Sequence, residues 1–188
     1  MGEYMGKDNR NGSVTLELSL VLPIFILFFL FVYGLFAIVS AQNTITHALI
    51  QSTKSLSLDS YLTENVSSVA ESSEVTFWSN LSDMVIDLVR VNNDPYFSSR
   101  EDWYKTGKAN TVARQRFIGY LTGGDEVAAD EMCKALRVEN GLSGITFDAK
   151  VENDELTVTI KYSLKYWFDF AGLGTIPMEQ TIRTRMWK

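Results

Sequence analysis

The sequence predicts an α+β protein: a long N-terminal hydrophobic, transmembrane helix, followed by a head of short helices packed on a small antiparallel sheet at the C-terminal end. Three observations predict it. Leu18 to Val39 is a stretch of 22 residues without a charge. The middle of the chain repeats apolar residues at helical spacing, and the last third alternates apolar and polar residues at period two, as a half-buried strand does. With 188 residues, 46% apolar and 21% charged, the chain suffices for one compact domain and an anchor.

Charge and residue counts exclude several function classes. A formal charge of −6 and a pI near 4.8, with no basic patch, argue against a nucleic-acid partner, because phosphate binding needs a cationic surface that releases counterions. Cys133 is the only cysteine and His47 the only histidine. A disulfide framework, a cysteine zinc site and the usual nucleophilic triads are therefore out of reach of a single chain. No cofactor and no small-molecule substrate are expected.

At about 1.5 Å per residue, the 22 residues from Leu18 to Val39 cover roughly 33 Å, the thickness of a hydrocarbon core. Leu18, Leu22, Phe25, Phe29, Val32, Leu35 and Val39 are expected along the membrane helix, and Leu, Ile, Phe and Val occupy every face, so lipid or an equally dry assembly should surround it. The next charge after Glu17 is Lys54, and the helix is expected to run beyond its membrane part, to about residue 54. Lys7 and Arg10 precede the span and Lys54 follows it, which favours a cytoplasmic N-terminus and an outside head.

After the anchor, residues 55–75 are rich in Ser and acids and read as a polar connection with one helical piece. The head then occupies residues 76–188. Leu81, Met84, Val85, Leu88 and Val89 have helical spacing. Residues 92–110 read as a loop with Tyr96, Phe97, Trp103 and Tyr104 as aromatic pins to the core. Ala113, Phe117, Tyr120 and Leu121 form a helical stripe that stops at Gly123-Gly124, and Asp125 opens a second helix carrying Ala128, Met132, Ala135 and Leu136. Strands are expected in "GITFDAKV", "ELTVTIKYSLKYW" and "PMEQTIRTRMWK", with a hairpin turn within Val151 to Glu155. Met178, Ile182 and Met186 should face inward on the last strand, with Arg183 and Arg185 outside.

One charge stands against the apolar run. Glu17 follows Gly12 by five residues, within "GSVTLELSLVLPIFILFFLFVYG". By itself a carboxylate at a helix N-terminus suits the macrodipole and stays hydrated. The order of a short polar leader, glycine, glutamate and long apolar span resembles a type IV prepilin processing site. Glutamate, aliphatic, small, aliphatic, then Val21-Leu22-Pro23 is similar to the TadE-like pseudopilins of tight-adherence (Flp) pilus systems. The tail "FDFAGLGTIPMEQTIRTRMW" is similar to the glycine-rich loop and final strand of that family.

The resemblance implies that a prepilin peptidase cuts between Gly12 and Ser13, so that residues 1–12 are a cytoplasmic leader and 13–54 the membrane and assembly helix. It implies that Glu17 pairs with a neighbouring subunit's new amino terminus and sets register. Pro23 belongs to the same pattern, or is a kinking proline that a membrane helix tolerates. The expected role is that of a structural minor pilin or pilus assembly protein in a bacterial cytoplasmic membrane, not an enzyme, with other pilin or pseudopilin subunits and the assembly machinery as partners.

Two other readings compete. Val39-Ser40-Ala41 has the small residues of a signal peptidase site, which would make the chain a secreted domain, although the apolar run is longer than a signal h-region and Glu17 stands where a basic flank is expected. A membrane-anchored enzyme would need a pair such as Asp125 with Asp130, or Glu152 with Glu155, whose separation the sequence does not fix.

Overall fold

The computed structural model describes residues 8–70 (side chains of 16–60), 96–97, 103–104, 107–166 and 174–186. The architecture is α+β, as the sequence predicts. The order is α1 (Asp8–Ala70), α2 (Ala109–Thr122), α3 (Glu126–Ala135), a 3₁₀ turn (Gly141–Gly144), then β1 (Thr146–Glu152), β2 (Glu155–Lys165) and β3 (Thr175–Arg185). The helical stretch read at Leu81–Val89 and the glycine loop at Gly172 lie outside the described residues.

The chain divides into two compact units, Met1–Ser40 and Ala41–Lys188. In the second, the C-terminal part of α1 is a core element. Ala41, Ile45, Ala48, Leu49, Ser52, Thr53, Leu56 and Ser60 are buried at steps of three and four residues, which is one face of a helix. The hydroxyls on that face return to their own helix, Ser52 and Thr53 donating to the Leu49 carbonyl and Ser60 to that of Ser57. Burial therefore leaves them satisfied. The sequence reads residues 55–75 as a polar connection with one helical piece; helix runs on to Ala70, and within it Ser57 and Ser60 face inward as small hydrogen-bonded residues.

The sheet is antiparallel with strands in the order β1-β2-β3. Leu156, Val158, Ile160, Tyr162 and Leu164 of β2 are all buried on one face, and Thr157, Thr159, Lys161, Ser163 and Lys165 turn to the other. Asn153 and Asp154, both in the left-handed region, close the β1–β2 hairpin where Glu152 meets Glu155. Met178 and Ile182 lie on the inner, partly covered side of β3, Met186 is buried, and Arg183 and Arg185 are exposed, as expected.

Both sheet edges are modified. Tyr166 N–H bonds the Gly174 carbonyl and Met186 N–H the Asp154 carbonyl, so even-numbered residues of β3 bond β2 and odd-numbered ones turn their backbone outward. Pro177 is one of the odd ones, and the Arg185 carbonyl accepts from Ser57 Oγ at 2.6 Å. On the other edge the Ala149 N–H donates to Asn110 Oδ1 at the start of α2.

Helix α2 packs on β1, with Phe117 and Phe147 ring centroids 5.3 Å apart and edge to face. Its buried residues are Ala109, Val112, Ala113, Arg116, Phe117, Ile118 and Gly119. Tyr120, expected inside, is 39% exposed, because Arg116 takes the inward position one turn earlier. Gly119 is where a Cβ would sit 2.4 Å from the Tyr96 carbonyl oxygen, so only glycine admits that close approach. Gly123, at φ 74°, ends the helix with its N–H on the Gly119 carbonyl.

Asp125 caps α3 through Val127 and Ala128 N–H. The buried pair of α3 is Ala129 and Cys133, one position on from the expected stripe of Ala128, Met132, Ala135 and Leu136, of which Ala135 is exposed. The helix ends after Ala135, and the following turn runs back beside β2 through Val138 and Leu164. The Asp130 carboxylate accepts from Leu142 N–H at 2.9 Å and pairs with Lys134 Nζ at 2.6 Å. Lys134 first, then the Leu142 N–H, holds it below the usual carboxylate range.

Candidate membrane and assembly helix

The N-terminal unit is a single length of α1, and the residues singled out from the sequence lie along it. Gly12 and Ser13 are within the helix, with side chains outside the described residues. Glu17 is exposed, one residue after Leu16, where the apolar surface begins. Pro23 sits inside an unbroken helix. Its missing N–H would otherwise bond the Ser19 carbonyl. The backbone accommodates it without ending the helix.

Leu18, Leu22, Phe25, Phe29, Val32, Leu35 and Val39 are each 44–61% exposed. The opposite faces are no better covered: Leu20, Ile24, Leu27, Phe31 and Phe36 are at least half exposed as well. The helix reaches a mean hydropathy of 2.8 over 18 residues, of which 6% are buried. It is long and apolar enough to cross a membrane. A globular core would cover one stripe of such a helix and leave the other polar. Here every side is apolar and most of the surface is open, with Gly34 buried and Leu30, Ala37 and Ile38 half-buried. Along the helix the Phe25 ring packs on Phe29 with centroids 4.7 Å apart.

The head contributes a polar cluster that the sequence reading did not anticipate. Arg116, fully buried in α2, reaches α1, pairing with Asp59 and donating to Ser55 Oγ at 2.6 Å; it also donates to the Phe97 carbonyl. The signal available in sequence was Asp59 on the same face as the Ser52–Ser60 stripe. A charge within a serine-rich run reads as solvated until its partner, 57 residues on, is known.

Among the aromatic pins, Trp103 is buried, while Phe97 stands half out against Tyr120 with rings 6.0 Å apart. The carboxylates weighed as acid and base have other work: Asp125 caps α3, Asp130 holds the 3₁₀ turn, and Glu152 and Glu155 are exposed hairpin neighbours. An open groove of about 530 Å³ lies over β2 and β3, lined by Glu139, Asn140, Lys161, Ser163, Pro177 and Glu179 among others. Lys161 and Glu179 pair across its floor at 3.3 Å. Cys133 is buried, and desolvation pushes its thiol up to about 11, so it is a packing residue rather than a nucleophile.

No protein-family model, no curated protein and no solved structure matches the chain.

Proposed function

We propose that this chain is a structural subunit of a tight-adherence type IVc pilus system, a TadE-like minor pilin or pilus assembly protein. It is held in the bacterial cytoplasmic membrane by α1, with its N-terminus in the cytoplasm and its head outside. The observation that carries the reading is a helix apolar on every face and largely exposed from Leu18 to Val39, with one carboxylate, Glu17, at its start, five residues after Gly12. A carboxylate beside a hydrocarbon span is costly unless a cation meets it, and such residues mark function by default.

In this reading a prepilin peptidase removes residues 1–12, the Ser13 amino group becomes the cation available to a neighbouring subunit's Glu17, and the exposed span packs first with lipid and then with other pilin helices. Pro23 stands in the first turns of that surface. The head supplies the contacts that separate a minor subunit from a repeated one. Catalysis has no part in it.

Intact mass and N-terminal sequencing of the protein from native membranes, with and without the prepilin peptidase, test the proposal. The expected result is a start at Ser13 that disappears in the deletion strain. A start at Gln42 would make the chain a secreted domain, and an unprocessed Met1 would remove the pilin argument. Glu17→Ala is expected to leave the head folded and to lower the number of assembled pili, counted by electron microscopy.

A further inference from the structure

The turn between α3 and β1 carries an Asn–Gly pair, Asn140–Gly141. In such a pair the glycine amide nitrogen can attack the asparagine side-chain carbonyl carbon, because no Cβ on the glycine obstructs the approach. Asn140 is exposed, its side chain caps no N–H, and its backbone is left-handed at φ 59°. Asparagine and aspartate both tolerate that region. The reactive side chain is therefore open to water.

What holds the reaction back is the main chain. The five-membered imide needs the Gly141 nitrogen eclipsed with the Asn140 Cβ, and at ψ 20° that nitrogen lies on the far side of the Cα–C bond, with the carbonyl oxygen toward Cβ instead. Rotating this peptide group breaks two bonds. Gly141 N–H donates to the Val138 carbonyl at 3.1 Å, and the Asn140 carbonyl accepts from Ser143 Oγ at 2.7 Å. The turn is also tied down on both sides: Val138 and Leu142 are buried, Glu139 N–H bonds the Ser163 carbonyl of β2, and Leu142 N–H bonds the Asp130 carboxylate of α3. Ring closure thus requires the turn to open, and local openings in native proteins cost less than global unfolding.

We propose that Asn140–Gly141 is a latent modification site gated by this turn: each opening exposes Asn140 to conversion into aspartate and isoaspartate, and the closed turn withholds it. The Gly141 nitrogen loses its proton to hydroxide and bonds Asn140 Cγ; the Cγ–Nδ2 bond breaks, and ammonia leaves with a proton from water. Water then opens the imide, at Cγ to give aspartate or at the main-chain carbonyl to give isoaspartate. Oxidation states do not change. Either product sets a further carboxylate beside Glu139 in the groove over β2 and β3. Isoaspartate also lengthens the main chain by a methylene next to Gly141, where even a Cβ would collide with the Asp130 carboxylate. The site belongs to the head and is independent of whether the chain enters a pilus.

The test follows the tryptic peptide Val138–Lys150 by liquid chromatography and mass spectrometry, after incubation of the full-length chain in detergent at mildly alkaline pH. The other Asn–Gly pair, Asn11–Gly12, falls in a different peptide. Isoaspartate is identified by labelling with protein isoaspartyl methyltransferase. In guanidinium chloride both products are expected, and in the folded chain conversion is expected at least about tenfold slower, the factor set by the fraction of open turn. Asp130→Ala, which frees Leu142 N–H, is expected to speed conversion of the folded chain about tenfold, and Asp130→Asn, which keeps an acceptor, by less. Should Asp130→Ala not fold, Ser143→Ala at its exposed position decides: it takes the hydroxyl from the Asn140 carbonyl, and faster conversion is expected. Equal rates in the folded and unfolded chain, no conversion in the unfolded chain, or an unchanged rate in the folded variant that decides overturns the proposal.

Discussion

Two lengths of one helix meet opposite fates. From Leu18 to Val39, α1 is apolar on all sides and largely exposed; from Ala41 it carries small and polar residues on one face and is buried along it. Hydrophobicity by itself thus does not decide burial within α1. Leu20 and Phe36 are among the most exposed residues, whereas Ser52, Thr53 and Ser60 are almost fully enclosed. Burial is set by what a neighbour can cover and satisfy, not by hydropathy alone. The bare length needs a medium that supplies dispersion contacts without polar groups, and the buried length uses hydrogen bonds that the head completes.

The sharpest way to break this contrast is at its polar end. Arg116→Ala should strip Asp59 of its buried partner and cost about 3–5 kcal/mol. Thermal unfolding of the detergent-solubilised protein, followed by near-ultraviolet dichroism, would register it as a large drop in midpoint. Next comes a matched pair on the two lengths. Leu49→Ala opens a cavity in the head and should cost about 2–5 kcal/mol, whereas Phe29→Ala, on the bare length, should leave the same midpoint unchanged. Equal effects from the two would dissolve the distinction.

Smaller effects sharpen the picture of the head. Asp125→Ala removes the cap of α3 and should cost about 1 kcal/mol, measurable by urea unfolding. Cys133 should resist iodoacetamide at pH 8 until the protein unfolds. Its folded thiol ionises near 11 against an ordinary 9.0 because burial favours the neutral form. The unfolded chain therefore loses this proton first, so the contribution is complete below about 9 and is lost as pH rises toward 11. A pH titration of the unfolding midpoint should fall across that window and fall less in Cys133→Ala.

Much of this fold was legible because its signals are local. The period-two run from Leu156 to Leu164, the Asn153-Asp154 turn and Gly123 at a helix end each announce themselves within a few residues. The span needed only a count of uncharged positions. Gly12, Ser13, Glu17 and Pro23 lie within α1, which fixes where they stand on the helix and not what they do. Less legible was whatever depends on distant partners. Ser55 to Ser60 reads as linker because serine is polar, and becomes core only once Leu49, Arg116 and β3 stand beside it. Arg116 itself has the composition of a surface residue on a helix whose stripe reads well enough without it. Similarly, Cys133 displaces Met132 from the centre of the α3 contact by one position, a rotation that neighbouring helices decide and short stripes do not.

The treatment of the sheet edges has a consequence for behaviour in a crowd. Were the stem to sit in lipid, detergent or a bundle, it would bring many heads close together, and exposed strand backbone is a template for one chain to zip onto the next. Pro177 deletes an outward donor from β3, Ser57 occupies the carbonyl at its end, and Asn110 occupies an amide on the edge of β1. Glu179, Arg183 and Arg185 add charge along the β3 rim. Heads built this way can be concentrated while keeping their strands to themselves.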